Sequence, residues 1–230
     1  MKVKDCNLIN IQVGDILLFE ARGLLNGDFL GELIADLEGG KGRYTHAASV
    51  RDLPDPESDV EEVKPGIFKV SNGATWNEPY TEETQYADSP EQKNRVRSHM
   101  GIKLEATFPK CQEWPIDWEN EWMSVWRVRN LSPDNIKDII RAQEDMIGWD
   151  YNIAEFLTFG LLNQAASKIC SQFVSEPIYN TTLFRGNLAG NFPIALTPDL
   201  AGIKDPEITP NDIYDSGNVF RVKYQGLLGS

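Results

Sequence analysis

The stretch Lys168-Ile169-Cys170-Ser171-Gln172-Phe173-Val174 switches from polar to apolar within a few residues, and that switch reads as the start of a buried helix. Phe173, Val174 and Pro177 follow Cys170 near helical spacing, which puts the thiol at the edge of an apolar stripe. A thiol at a helix N-terminus sits beside unpaired backbone N–H groups and the positive end of the helix dipole, and both favour thiolate. The same N–H groups can hold a developing oxyanion. A cysteine in such a place is equally suited to act as a small core hydrophobe, so the reading turns on a partner imidazole.

The chain has two histidines. His46 lies in Gly42-Arg43-Tyr44-Thr45-His46-Ala47-Ala48-Ser49-Val50, where Tyr44, Val50 and the small residues suit a strand leaving a glycine-rich turn. His99 closes a charged, loop-like stretch before Met100-Gly101. An ordered strand fixes an imidazole as a loop does not, which makes His46 the candidate base. A purely structural strand histidine is the competing reading.

Four segments follow one another in a telling order: Gly14-Asp15-Ile16-Leu17-Leu18-Phe19, Tyr44-Thr45-His46-Ala47-Ala48, Leu104-Glu105-Ala106-Thr107 and Ile169-Cys170-Ser171-Gln172-Phe173-Val174. Together they resemble the circularly permuted, YiiX-like branch of the NlpC-type papain-like hydrolases, with the lecithin retinol acyltransferases as more distant cousins. In that branch a histidine strand precedes the cysteine helix, the reverse of papain's order. Gln172 departs from the family pattern, which often has Glu there. The resemblance implies an α+β, permuted papain-like fold, in which a small, mostly antiparallel sheet packs against the helix that bears Cys170. It also implies a catalytic triad of Cys170, His46 and Glu105 that needs neither a metal nor an organic cofactor.

The strand around Glu105 can be read without the resemblance. Ile102, Leu104, Ala106 and Phe108 alternate with Lys103, Glu105 and Thr107, the pattern of a half-buried strand with Glu105 on its polar face. A carboxylate aimed at an imidazole would fix its tautomer and stabilise the imidazolium. An ordinary exposed strand glutamate is the alternative, and Asn72 and Glu113 are the other candidate orienters.

Composition narrows the functional classes. The hydrophobic fraction of 41% and charged fraction of 25% are those of a globular protein. A net charge of −13 without a basic run argues against binding nucleic acid or an anionic bilayer. The three cysteines, Cys6, Cys111 and Cys170, make no disulfide framework, and no Cys/His cluster suggests zinc. No apolar stretch is long enough for a membrane span, and Met1 to Cys6 lead into no signal-peptide core. A cytoplasmic protein is the expectation; export without a signal, or viral delivery, would leave no such trace.

Elsewhere, Phe29, Leu30, Leu33, Ile34 and Leu37 suggest a short amphipathic helix that stops at Gly39-Gly40. Residues 52–98 read as an insertion within a single domain of residues 1–230, either a lid or a solvated decoration, with Ile67 to Val70 as a strand of its own. Met123 to Val128 suits a strand. Ser132-Pro133-Asp134 starts a helix, with Ile136, Ile139, Ile140, Gln143 and Ile147 on one face and Gly148 as its stop. Tyr151, just ahead of the cysteine segment, suits either the oxyanion pocket or the core. Phe156 to Leu162 is an apolar patch that suits a core or an acyl subsite, and Thr209 to Asp212 and Val219 to Val222 read as a last turn and strand.

The expected chemistry is amide hydrolysis through a Cys170 acyl-enzyme, on a peptide, peptidoglycan-like fragment or acylated small molecule. A lipid acyltransferase or thioesterase would use the same three residues. A binding module with an idle triad is the reading from a different class, since a fold can outlive its chemistry.

Overall fold

Gly14 and Asp15 show how the central strand is seated. The computed structural model describes residues 10–20, 44–53, 60–64, 67–70, 75–77, 101–107, 109–116, 123–151, 167–203 and 209–222. In chain order its elements are β1 (Ile16–Glu20), β2 (Tyr44–Asp52), β3 (Val60–Lys64), β4 (Ile67–Val70), β5 (Thr75–Asn77), β6 (Ile102–Ala106), β7 (Cys111–Pro115) and β8 (Met123–Val128). Then come α1 (Pro133–Glu144), β9 (Asp150–Tyr151), β10 (Ser167–Lys168), α2 (Cys170–Arg185), α3 (Pro210–Asp215) and β11 (Val219–Val222).

Gly14 has φ of +85°, and a Cβ there would stand 2.9 Å from Ile136 of α1, so both backbone and packing require glycine. Asp15 is 1% exposed. Its carboxylate accepts hydrogen bonds from Arg127 Nε at 2.7 Å, Arg127 Nη2 at 2.9 Å and the Gln12 N–H at 2.8 Å. Burial pushes the Asp15 carboxyl above its ordinary pKa, against the pull of Arg127. The Gly-Asp pair is therefore a clasp that ties the turn before β1 to β8.

The main sheet has six strands in the order β11-β8-β1-β2-β6-β7, every neighbour antiparallel. The fold is α+β, as the sequence suggested. Each face carries its own buried cluster. Ile16, Leu18, Ala47, Leu104 and Trp126 join Ile139 of α1 and Phe173, Val174 and Ile178 of α2. Leu17, Phe19, Ala48, Val50, Met123 and Val125 form the cluster on the opposite face. The β1–β2 register slips between Phe19↔His46 and Glu20↔Tyr44, a bulge at Thr45 that puts Tyr44 into the helix-side cluster with Ala47.

α1 begins as expected. The Ser132 hydroxyl accepts from the Asn135 N–H at 3.1 Å, Asn135 Oδ1 accepts from the Ser132 N–H at 3.0 Å, and proline fills the first turn. It ends at Glu144, earlier than the apolar periodicity suggested. Ile147 is 40% exposed in the following turn, because the Gly148 N–H donates to the Cys111 carbonyl at 2.8 Å and draws the chain towards β7. α2 carries Pro177 in its interior, which leaves the Phe173 carbonyl without its intrahelical donor. Gln143 Nε2 donates to that carbonyl at 3.2 Å and to Ser49 Oγ at 2.8 Å, joining α1, α2 and β2 through one buried side chain.

Two further expectations change. β6 is buried at all five positions instead of half-buried, because Phe19 and His46 close over its charged face. Thr209 to Asp212 opens a short helix, α3, where a turn was expected. Within 52–98 the backbone of β3, β4 and β5 forms a separate antiparallel sheet, with Ile67–Val70 as its middle strand. Cys6, the Phe29–Leu37 segment, Asn72, His99, most of 52–98 and the Phe156–Leu162 patch lie outside the described residues.

Candidate functional site

His46 stands one residue past the bulge in β2, on the face that carries Phe19 and Ala48. Glu105 is registered opposite Ala48, so it projects from that same face. The recorded β2–β6 pairing ends at Ala48↔Glu105, which leaves His46 just beyond the ladder and its ring free to lean towards β6. His46 Nε2 is 2.9 Å from Glu105 Oε2. The Cys170 side chain also hydrogen-bonds the ring.

Cys170 is the first residue of α2, as the polar-to-apolar switch suggested, and is 4% exposed. Its approach is built by backbone pairing. The Cys111 N–H donates to the Trp149 carbonyl and the Tyr151 N–H to the Pro109 carbonyl, each at 2.8 Å, so the chain entering β9 runs beside β7. β10 pairs in parallel with β9, Ser167 with Asp150 and Lys168 with Tyr151. Two residues later the helix begins. Gln172 is buried, and its Oε1 lies 3.5 Å from the Ile169 N–H, closing the first turn in place of a polar N-cap.

The electrostatics favour an imidazolium. Burial works against a charged His46, but the hydrogen bonds and charges of Cys170 and Glu105 outweigh it and raise its pKa to about 10. A quarter of the His46 side chain remains exposed, so water reaches part of the ring. Burial also opposes a charged Glu105. There Lys103 first, then His46 and a Gln112 hydrogen bond, bring the carboxyl down to about 2. Lys103 is 3% exposed; its Nζ lies 3.4 Å from Glu105 Oε2 and 4.6 Å from the centre of the Phe19 ring. Charges of alternating sign thus run from Lys103 through Glu105 to His46.

Tyr151 is half-buried near both Cys170 and Cys111. Burial first, then those two thiols, push its hydroxyl above its ordinary pKa, so it remains a neutral donor at physiological pH. Cys111 is a second buried cysteine that forms no disulfide. Glu113, a candidate orienter, is registered opposite Leu104 and thus projects to the other face from Glu105. Its carboxylate is 3.8 Å from Arg51, which also binds Glu144 at 2.5 Å and Asp52 at 2.8 Å. It therefore belongs to an ion-pair network away from the imidazole. Sequence reasoning had no role for Lys103, although the alternation that placed Glu105 placed Lys103 on the same face.

No known protein family matches the chain by sequence, and neither does any curated protein. Among solved structures it is similar to the metalloprotein yiiX from Escherichia coli O157:H7, with a TM-score of 0.48 and 12% identity over 93% of this chain and 97% of that one. A likeness of that size carries no functional inference. Among the described residues no group of three or more His, Cys, Asp or Glu side chains is arranged to hold a metal ion, and no helix is long and apolar enough to cross a membrane.

Proposed function

We propose that the protein is a cysteine hydrolase that works through an acyl-enzyme on Cys170. One observation carries the reading: His46 is bonded to Glu105 on one side and to a thiol at a helix N-terminus on the other. With a pKa of about 10, His46 carries a proton at neutral pH, ready to be given to a leaving group, and in this mechanism the attacking form is the Cys170 thiolate.

The Cys170 sulfur adds to the substrate carbonyl carbon, forming a C–S bond and moving the carbonyl electron pair onto oxygen. The Cys170 backbone N–H and the Tyr151 hydroxyl are the donors available to that oxyanion. As the carbonyl re-forms, His46 gives its proton to the leaving nitrogen and the C–N bond breaks. Water then attacks the thioester while His46 takes a proton from it, and loss of the thiolate releases the acid and restores the pair. Glu105 holds the ring and its positive charge throughout. An amide in a peptide or peptidoglycan-like fragment is the substrate class that the resemblance implies. Transfer of the acyl group to another acceptor, or thioester hydrolysis, would use the same residues.

Labelling with a neutral thiol-directed electrophile, read by intact mass and peptide mapping, tests the reading. One adduct is expected, on Cys170, forming far faster than on Cys111 or Cys6 and slowing at least tenfold in His46→Ala. Cys170→Ala is expected to keep the fold and lose all turnover. Equal labelling of the cysteines would instead favour a binding module on this scaffold, and turnover retained in Cys170→Ala would overturn the covalent mechanism.

A further inference from the structure

A lysine is rarely enclosed unless something holds its charge, since an unpaired buried ammonium is strongly disfavoured. Lys103 is enclosed, and two of its partners, the Glu105 carboxylate and the Phe19 ring, belong to the site. The arrangement follows from register. Val50↔Lys103 and Ala48↔Glu105 place the two side chains on one face of β6, and Phe19, opposite His46 on β1, supplies the ring beneath the ammonium. The loop closes on itself, because the Phe19 ring is also 5.3 Å from that of His46.

We propose that Lys103 is a positioning residue for the candidate site: seated on Phe19, its ammonium keeps Glu105 an anion and holds Oε2 against the His46 ring. The proposal rests on the cysteine-hydrolase reading for its catalytic meaning. Two cations meet at one carboxylate oxygen, His46 at 2.9 Å and Lys103 at 3.4 Å. An enclosed carboxylate facing a single titrating imidazole could return to neutrality by taking up a proton. The Lys103 ammonium, 3.4 Å from Oε2, opposes that retreat by favouring the carboxylate form. Among the described residues, the titratable groups facing Glu105 are Lys103 on its own strand and His46 on β2, with Cys170 of α2 reached through the imidazole; β7 contributes the neutral Gln112.

The sign of the effect follows. Burial raises the Glu105 carboxyl, and Lys103 is the largest influence lowering it. Removing the ammonium should move Glu105 titration to higher pH, so that the His46 anchor is lost at milder acidity. The test is a carbon-13 NMR titration of the Glu105 carboxyl in the full chain, for wild type, Lys103→Met and Lys103→Arg, beside Cys170 labelling rates from pH 4 to 8. Lys103→Met is expected to raise the Glu105 midpoint by about one pH unit or more and to slow labelling only towards the acid end of the range, as pH approaches the raised midpoint. Lys103→Arg, which keeps the charge, is expected to restore most of the wild-type profile. An unmoved Glu105 midpoint in a folded Lys103→Met protein would overturn the proposal. Should that variant fail to fold, Phe19→Leu carries the test: unseating the ammonium should shift the midpoint the same way by a smaller amount, and no shift overturns it. The carboxyl titration needs no turnover, so a chain without hydrolase activity would still decide the role of Lys103.

Discussion

His46 holds its proton because two neighbours reward the charge more than enclosure opposes it. Its raised pKa stabilises the fold at pH below its ordinary value of 6.5, and that contribution is lost as pH rises through about 10. Labelling of Cys170 should therefore show an alkaline change near pH 10 as the imidazolium disappears. Glu105→Gln keeps the shape and removes the charge, so the change should move to lower pH and turnover should fall by about tenfold to a thousandfold. Superimposable pH profiles for the two proteins would remove Glu105 from the site. The helix start at Cys170, the strand around His46 and the polar face of β6 that carries Glu105 were each legible in the sequence because their signals are local, whereas grouping the three as one site came from the family resemblance. The enclosure of Lys103 was not legible. Alternation separates the two faces of a strand, whereas the burial of a polar face depends on what another part of the chain lays over it, here Phe19 and His46.

At the scale of elements, α2 depends on an outside donor. Pro177 cannot serve the Phe173 carbonyl, and Gln143 of α1 does so while also binding Ser49. Gln143→Leu should strand that carbonyl in the core and cost about 1–3 kcal/mol, roughly 2–4 °C of melting temperature per kcal/mol for a chain of this size. Pro177→Ala supplies an N–H within the helix. In that background the loss from Gln143→Leu should shrink, and a thermal double-mutant cycle measures the difference. Equal losses in both backgrounds would show that the carbonyl does not matter. The 3.6-residue period placed Gln143 on the inner face of its helix, but gave no reason for an amide there. That reason lies in a proline more than thirty residues away. The same period carried Ile147 into α1, which the Gly148 hydrogen bond to β7 prevents.

Across the whole molecule, the sheet is closed by groups far apart in the chain. Asp15 and Arg127 are separated by 112 residues, and their pairing fastens β1 to β8. Arg127→Leu would leave the Asp15 carboxylate enclosed with the Gln12 N–H but no counter-ion, at a cost of about 3 kcal/mol at neutral pH, moderated by the part of Arg127 that water already reaches. An acid whose folded pKa lies above its unfolded value destabilises the fold once pH rises past the unfolded pKa. The variant should therefore recover much of that loss as Asp15 takes up its proton in acid. Chemical denaturation at pH 7 and pH 4 checks this, and an equal deficit at both would count against it. The order of the main segments was legible because apolar runs and turn signals mark strands and helices, and the α+β class followed from the family resemblance. The pairing of β1 with β8 was not, since register between distant strands leaves little trace in either one alone.

The β9–β10 pairing has a consequence for the birth of the protein on the ribosome. His46, Glu105 and β9 all precede Cys170 in the chain, so they are synthesised before the thiol is. When β10 emerges, the strand it must join has already been made, and its next residues deliver the sulfur beside the imidazole. Among the described residues, the strand of the main sheet still to come is β11, which adds to its outer edge beside β8. Cys170 is thus the last of the three candidate residues to be synthesised, after the strands that carry His46 and Glu105.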